Sequence, residues 1–482
     1  MKYRKQETNL NAYENIFENE FEGCSSPNDE KQCEDKINID EQYRDKNILI
    51  CGLGISGLGA YSALKKLNAN IYVFAEDIST ISNDKNAVFV KKLTTKIVQD
   101  MELIILSPTT RLSKKINKVI AEKQIECIGE IEFGFKLCKA PIFAVTGTNG
   151  KTTTVTLLNE MISTTYNSVA LGNIGKSFSQ KALELRQEDR VVLECSSFQL
   201  AQTKTFRPHI AVLLNLAPDH LDFHKNIEEY YASKLKIFEN MNKTDFAVIN
   251  YDDNCCFEHT KNIMPQIYYF SIKQSCKGVF VQDETIMFSD GIITYAIEKL
   301  KNLHYVGAHN LSNMLSAVCV AILAGVSVEN VATVLRNFHT PPHRLEFVRR
   351  LQNVDYYNDS KATNIESCLT ACNAVNQPIN LLLGGSDKGE NFHFLAQHLP
   401  KNVQCVYLFG KMQRKIYRAL KKRHDIQVFK CETLSSATKF VALKAKSGEV
   451  VLLSPACASF DAFKNYEERG EYFKQIVNDL QK

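Results

Sequence analysis

Thr146-Gly147-Thr148-Asn149-Gly150-Lys151-Thr152-Thr153 follows the apolar run Ile142-Phe143-Ala144-Val145 and leads into Val155-Thr156-Leu157-Leu158. This stretch constrains the fold most. A strand that ends in glycines, a lysine and a hydroxyl and then becomes a helix is a phosphate cradle. Its loop N–H groups and helix N-terminus point at the anion. Lys151 is placed to reach terminal phosphates and Thr152 to offer a hydroxyl to Mg²⁺. Val145 stands where the usual G-x-x-x-x-G-K-[ST] pattern begins with glycine, so the loop is a shortened variant.

Around this loop the chain reads as α/β. Strands are expected at 47–51, 71–74 and 103–106, then at 142–145, 191–194, 210–214 and 246–249, then at 354–357, 381–383, 406–409 and 450–453, with a helix over 60–67. The 482 residues suggest about three domains of roughly 150 residues each. Residues 1–45 are acidic and weakly periodic, and read as a flexible extension with a short helix near Tyr13–Phe21. The expected divisions are 46–140, 141–341 and 342–482, with Pro341-Pro342 as a hinge.

Composition narrows the partners. Hydrophobic residues at 44% with 23% charged describe a globular chain. No apolar run approaches the ~20 residues of a membrane helix, and the polar N-terminus shows no signal peptide. The fifteen cysteines are scattered without a C-x-x-C pair, which suits reduced thiols in the cytoplasm. Residues 1–46 hold 7 Lys+Arg against 12 Asp+Glu, so the net charge of +4 comes from the remainder. That diffuse positive balance suits small anionic substrates and gives no stripe for nucleic acid. Neither a nucleic-acid partner nor membrane insertion is expected, and a monomer is.

Four further clusters carry chemistry. Gly52-Leu53-Gly54-Ile55-Ser56-Gly57 follows the first strand and can bind a diphosphate. The acid expected after the second strand is displaced: Ala75 fills its slot, and Glu76 and Asp77 follow. Glu194, opening Glu194-Cys195-Ser196-Ser197-Phe198-Gln199 at a strand end, is placed to share Mg²⁺ with the phosphate loop. Asp219-His220-Leu221-Asp222-Phe223-His224 offers an imidazole ligand at His220, with Lys234 downstream. Asn358-Asp359-Ser360-Lys361-Ala362-Thr363-Asn364 gathers a carboxylate, hydroxyls and a cation at a helix start, and Arg344 before it can clamp phosphate.

Together these strings resemble the Mur ligase family, from about residue 47 to the end. The shortened loop is shared by all its members and by folylpolyglutamate synthase. Gly307-Ala308-His309-Asn310-Leu311-Ser312-Asn313, Pro341-Pro342-His343-Arg344, the Asp359-Ser360-Lys361 loop and Ser454-Pro455-Ala456-Cys457-Ala458-Ser459 look like the branch that adds D-glutamate. The resemblance implies a Rossmann-like UDP-binding domain, a central P-loop ATPase domain with a mostly parallel sheet, and a C-terminal Rossmann-like α/β domain. It implies an ATP-dependent amide ligase that joins D-glutamate to UDP-N-acetylmuramoyl-L-alanine through an acyl phosphate.

Roles follow by position. Gly54, Ile55, Ser56, Gly57 and Glu76 would take the UDP end, and Asn173 the muramoyl part. Gly147, Thr148, Asn149, Gly150, Lys151, Thr152, Thr153, Asn310, Asn313, Arg344 and Asp359 would hold ATP. Thr152 and Glu194 would bind one Mg²⁺; His220 and a carbamylated Lys234 would bind a second. Lys361, Thr363, Lys388, Ser459 and Tyr466 would position D-glutamate or the reacting groups, with Lys151, His220, Lys234 and Lys361 catalytic. The chain departs from the family at Ser107-Pro108-Thr109, where Ser-Pro-Gly is usual. Two alternatives stand beside this reading: a sister ligase of the folylpolyglutamate type, and a redox or regulatory protein binding NAD(P) at the first glycine turn.

Overall fold

Unbroken runs of Ile, Leu and Val suit strands buried on both faces. The computed structural model describes residues 39–78, 81, 84, 87–219, 224–303, 307–339, 342–386 and 391–481. The helix expected near Tyr13–Phe21, Pro341, His220 and Lys388 lie outside the described residues. The chain divides into two compact units, one of residues up to 302 plus 313–336, the other of residues 303–312 and 337 onward.

The first unit holds two sheets. Strands β1 (Asn47–Cys51), β2 (Asn70–Phe74), β3 (Ala87–Phe89), β4 (Leu103–Leu106) and β5 (Glu126–Gly129) form an all-parallel sheet in the order β3-β2-β1-β4-β5. Helix α1 (Ile55–Lys66) starts five residues before the expected 60–67. Glycines that read as loop are helical here because they are packing contacts. A Cβ on Gly57 would lie 1.9 Å from the Gly52 carbonyl oxygen, and one on Gly59 would lie 1.6 Å from Ser177 Oγ. Helix α2 (Glu130–Leu137) follows β5 directly.

The second sheet comprises β6 (Ile142–Thr146), β7 (Ser168–Gly172), β8 (Arg190–Glu194), β9 (Ile210–Leu213), β10 (Phe246–Asn250), β11 (Gln266–Ser271), β12 (Gly278–Gln282), β13 (Thr285–Ser289) and β14 (Thr294–Lys299). Its order is β14-β13-β12-β11-β10-β9-β6-β8-β7, antiparallel only at β12-β13-β14. Helices α3 (Lys151–Ile162), α4 (Phe178–Ala182) and α5 (Ile227–Leu235) accompany it. β6 lies between β8 and β9, so those two strands flank the phosphate loop. The register pairs Val145 with Glu194, and Glu194 with Gly172 on its other side.

The second unit holds β15 (Glu346–Leu351), β16 (Val354–Asn358), β17 (Ile379–Gly384), β18 (Val403–Phe409), β19 (Gln427–Lys430) and β20 (Val450–Leu453), in the order β15-β16-β20-β17-β18-β19. Only the β15–β16 hairpin is antiparallel. Helices α6 (Ile365–Ala374) and α7 (Tyr466–Asp479) follow β16 and β20. Asn358 pairs with Leu453, so the loops after β16 and β20 leave the sheet side by side. Among the described residues no helix is long and apolar enough to cross a membrane.

Two buried carboxylates of α2 join the two sheets of the first unit. Glu130 Oε1 accepts the Ser179 N–H and Oγ–H, each at 2.7 Å, and burial pushes its carboxyl pKa up. Glu132, fully buried, accepts the N–H groups of Lys204 (2.9 Å), Thr205 (2.8 Å) and Phe206 (3.0 Å). Removing that acceptor strands three donors away from water. Glu132→Ala is expected to cost about 3 kcal/mol in urea unfolding, read as a lower midpoint at unchanged slope.

Candidate active site

The phosphate loop has the backbone its glycines allow. Gly150 has φ +87° and caps α3 with no side-chain acceptor on the helix's first turn. A helix N-terminus of this kind presents backbone N–H groups suited to an anion. A Cβ at Gly150 would lie 2.2 Å from Asn313 Oδ1, so the absent side chain is what seats the Asn313 amide against the loop.

Residues outside the loop hold its shape. Asn215, just past β9, accepts the Asn149 N–H at 2.8 Å and donates to the Asn149 carbonyl at 3.1 Å. Thr148 Oγ1 donates to the Ala217 carbonyl and accepts the Ala217 N–H, both at 3.0 Å, and accepts the Tyr230 hydroxyl at 3.2 Å. Sequence reasoning gave Asn215 and Tyr230 no role. The available signal was position: Asn215 follows the strand paired with β6.

Two lysines converge on one carbonyl. Lys151 Nζ donates to the Gly147 and Thr148 carbonyls at 2.8 and 2.9 Å. Lys234 Nζ, from α5, donates to the same Gly147 oxygen at 2.8 Å and lies 4.6 Å from the centre of the Tyr230 ring. Lys234 is buried, which together with the neighbouring Lys151 charge pushes its pKa well below the lysine range. His224 is also buried, with Nε2 3.2 Å from Ser197 Oγ and its ring stacked on Phe198.

Glu194 ends β8 beside the loop. Its Oε1 accepts the Asn173 side-chain N–H at 2.8 Å, and the Asn173 backbone N–H donates to the Glu194 carbonyl at 2.9 Å. Its Oε2 is buried without a hydrogen-bond partner. A buried, unpartnered carboxylate oxygen next to a phosphate loop fits a hard cation, and the Thr152 hydroxyl in the first turn of α3 is a second oxygen donor of the same chemistry. Among the described residues no group of three or more His, Cys, Asp or Glu side chains forms a metal cluster. Mg²⁺ needs none when substrate phosphates and waters complete its shell.

A cavity of about 280 Å³ adjoins Asn173. The first sheet supplies Ile55, Ser56, Pro108 and Thr109; the second supplies Gly172–Gly175, Ser196, Phe198 and Gln199. Thus Ile55, Ser56 and Asn173, three of the expected site residues, line one cavity. Gly54 begins α1 at the same turn, and Glu76 is exposed two residues past the end of the neighbouring β2. The Ser196–Gln199 spacing is a capping box: each side chain binds the other's backbone N–H.

The second unit gathers the remaining candidates. Asp359 is buried; Oδ2 accepts the Ser454 hydroxyl at 2.7 Å and Oδ1 the Leu345 N–H at 3.2 Å. Burial raises its pKa to about 7, against the hydrogen bonds and the charges of Arg344 and Arg469. Arg469 is buried and was missed in the sequence. It donates to Ser360 Oγ (2.9 Å), Ser360 O (2.7 Å) and Cys457 O (3.0 Å), which ties the loop after β16 to the loop after β20. Lys361 Nζ lies 5.2 Å from the Tyr466 ring centre, and Thr363 follows on the same loop. Ser459 is buried on the β20 loop, and the Ser386 N–H donates to neighbouring Ala458 at 2.8 Å. His309 and Arg344 interact electrostatically; desolvation and that charge lower the His309 pKa to about 4. Asn310 beside it is buried.

Comparison with known proteins fits this geometry. Residues 145–321 match the Mur ligase middle domain, and residues 343–457 match the Mur ligase glutamate ligase domain. A "UDP-N-acetylmuramoylalanine--D-glutamate ligase" of Thermoanaerobacter sp. is 37% identical, over 92% of this chain and 100% of that protein. One of the same name from Alkaliphilus metalliredigens is 38% identical, again over 92% and 100%. Among solved structures, a pseudomurein peptide ligase type C from Methanothermus fervidus superposes with a TM-score of 0.58 at 16% identity, covering 90% of this chain and 100% of its own. A MurF ligase from Thermotoga maritima in complex with ADP gives 0.57 at 18% identity, over 92% and 97%. These two support the fold alone. With both domain models matched and full-length relatives above a third identity, the chain belongs to the Mur ligase family.

Proposed function

We propose that this chain is an ATP-dependent amide ligase that adds D-glutamate to UDP-N-acetylmuramoyl-L-alanine, in the synthesis of cell-wall peptide precursors in the cytoplasm. One observation carries the reading. Asn173 lines the cavity and also holds Glu194 beside the phosphate loop, so a carboxylate at the inner end of a cavity-bound substrate meets a triphosphate at that loop. The curated relatives' printed names fit the same chemistry.

The division of labour is as follows. Residues 46–140 with Asn173 bind the nucleotide sugar, residues 141–341 bind ATP, and residues 342–482 bind the amino acid. The substrate carboxylate attacks the γ-phosphorus, ADP leaves, and an acyl phosphate forms. The D-glutamate amine then adds to the carbonyl carbon, and the tetrahedral adduct expels phosphate to leave the amide. Lys151, the α3 N-terminus and Arg344 offset the repulsion between carboxylate and triphosphate. Asn310, Asn313 and Asp359 hold the nucleotide. Lys361, Lys388, Thr363, Ser459 and Tyr466 offer cations and hydroxyls to a dicarboxylate and orient its amine.

Mg²⁺, held by Glu194 and Thr152, would neutralise phosphate charge. A second ion is assigned to His220 and Lys234. The amine of buried Lys234, made less basic by its surroundings, can add to CO₂ and lose a proton, which leaves a carbamate oxygen as a ligand.

Three outcomes test this. ADP release should require both UDP-N-acetylmuramoyl-L-alanine and an amino acid, with D-glutamate favoured over L-glutamate by about 10²-fold in kcat/KM. Lys234→Ala should lose about 10³-fold in turnover, and added bicarbonate should not restore it.

The third outcome concerns Asp359. Its carboxyl ionises near 3.8 in the unfolded chain and near 7 when folded. Between those values the folded state keeps a proton that the unfolded chain releases, so stability falls as pH rises through that window. Asp359→Asn should therefore raise the unfolding temperature relative to wild type at pH 8, and by a smaller margin at pH 5, while ATP affinity drops about tenfold.

A further inference from the structure

We infer that Gln202 is a positioning residue that sets the width of the nucleotide-sugar cavity by tying its two walls together. The inference rests on the cavity being the nucleotide-sugar site. Gln202 sits in the turn after the short helix Ser197–Leu200, whose Phe198 and Gln199 form one wall. Its Nε2 donates across to the carbonyls of Ser107 and Pro108, each at 3.3 Å, and Pro108 and Thr109 belong to the other wall.

The recipient turn is itself fixed to the first glycine loop. The Ser107 N–H donates to the Cys51 carbonyl at 2.9 Å, Ser107 Oγ donates to Gly52 O at 3.0 Å, and Thr110 Oγ1 donates to Cys51 O at 3.2 Å. One continuous path therefore runs from the diphosphate turn, through Ser107 and Gln202, to the segment that begins at Glu194.

A second, independent feature shows that the chain makes room for this side chain. The Gly129 N–H donates to the Gln202 carbonyl at 3.1 Å, and a Cβ on Gly129 would lie 2.7 Å from both Gln202 Cβ and Oε1. The other polar ties between the two sheets described above, Glu130 to Ser179 and Glu132 to 204–206, touch no residue that lines the cavity. They stabilise the pair of sheets; Gln202 acts at the wall. Gln202 Oε1 is buried without a partner, so the amide is retained for its donor end. A glutamine used only for packing has no reason to keep that cost.

Gln202→Met keeps the unbranched bulk and removes the donor, and Gln202→Leu is the second variant. The measurement is direct titration of the full-length protein with UDP-N-acetylmuramoyl-L-alanine and, separately, with ATP. A loss of about fivefold to tenfold in affinity for the nucleotide sugar is expected, with ATP affinity within twofold and the ligand-free unfolding temperature little changed. Unaltered nucleotide-sugar affinity would overturn the inference. So would a parallel loss of both affinities with a lowered unfolding temperature, which marks a merely structural role. Wild-type protein that binds the nucleotide sugar but never couples ADP release to amide formation would refute the ligase reading and leave this inference standing.

Discussion

The carbonyl oxygen of Gly147 accepts hydrogen bonds from both Lys151 and Lys234, and the rest of the site is arranged around that convergence. Lys151 and the N-terminus of a twelve-residue helix place positive potential at one spot, with the less basic Lys234 amine on the same carbonyl. Such a loop does not hold its own shape, since its N–H groups must stay open for an anion. The scaffold comes from outside: Asn215 on Asn149, Ala217 and Tyr230 on Thr148. Those residues are in reach because β9 pairs with β6 on one side and β8 on the other. The sheet order is thus a precondition of the loop, and Lys234's depressed basicity is a consequence of it.

Much of this was legible in the residues. Strands with long aliphatic runs, β1, β4, β6, β8, β10 and β20, announce themselves because burial on both faces requires such runs. The hairpin strands β13 and β14 were not expected. Their alternating burial, as in Thr285-Ile286-Met287-Phe288-Ser289, is a weaker signal, although the turn pair Asp290-Gly291 could have exposed it. Glu194 and Asn173 were singled out for separate tasks, yet the hydrogen bond between them depends on the Glu194–Gly172 register, which no local pattern encodes. Asn215, Gln202 and Arg469 went unremarked for the same reason. Each is one polar residue whose meaning comes from a partner far along the chain.

Burying charge is expensive, and the chain does so where position matters. Arg469, with no exposed surface, is worthwhile because Ser360 and Cys457 accept three of its hydrogen bonds and so tie two neighbouring loops together. A Cβ on Gly470 would lie 2.2 Å from His343 Nδ1, so even the residue beside Arg469 is fixed by the closeness of α7 to the strand ends. Glu130 and Glu132 do the same between the first two sheets. Hydrophobic replacements of similar volume would satisfy the core. They would not fix the distance between loops that have to act together.

The candidate residues obey one topological rule three times over. In a parallel sheet every strand ends on the same side, so the loops that follow strands converge while those that precede them lie opposite. The glycine turn follows β1, the phosphate loop follows β6, Asn173 and Glu194 stand at the ends of β7 and β8, and Asp359 and Ser459 follow β16 and β20. The antiparallel strands β12 to β14 extend the same sheet, yet carry none of the candidate residues. Alternating strand direction sends successive loops to opposite edges, where they cannot build one site. Function therefore follows strand polarity more closely than it follows sequence distance. This is why residues as far apart as Ile55, Pro108, Asn173 and Phe198 line a single cavity.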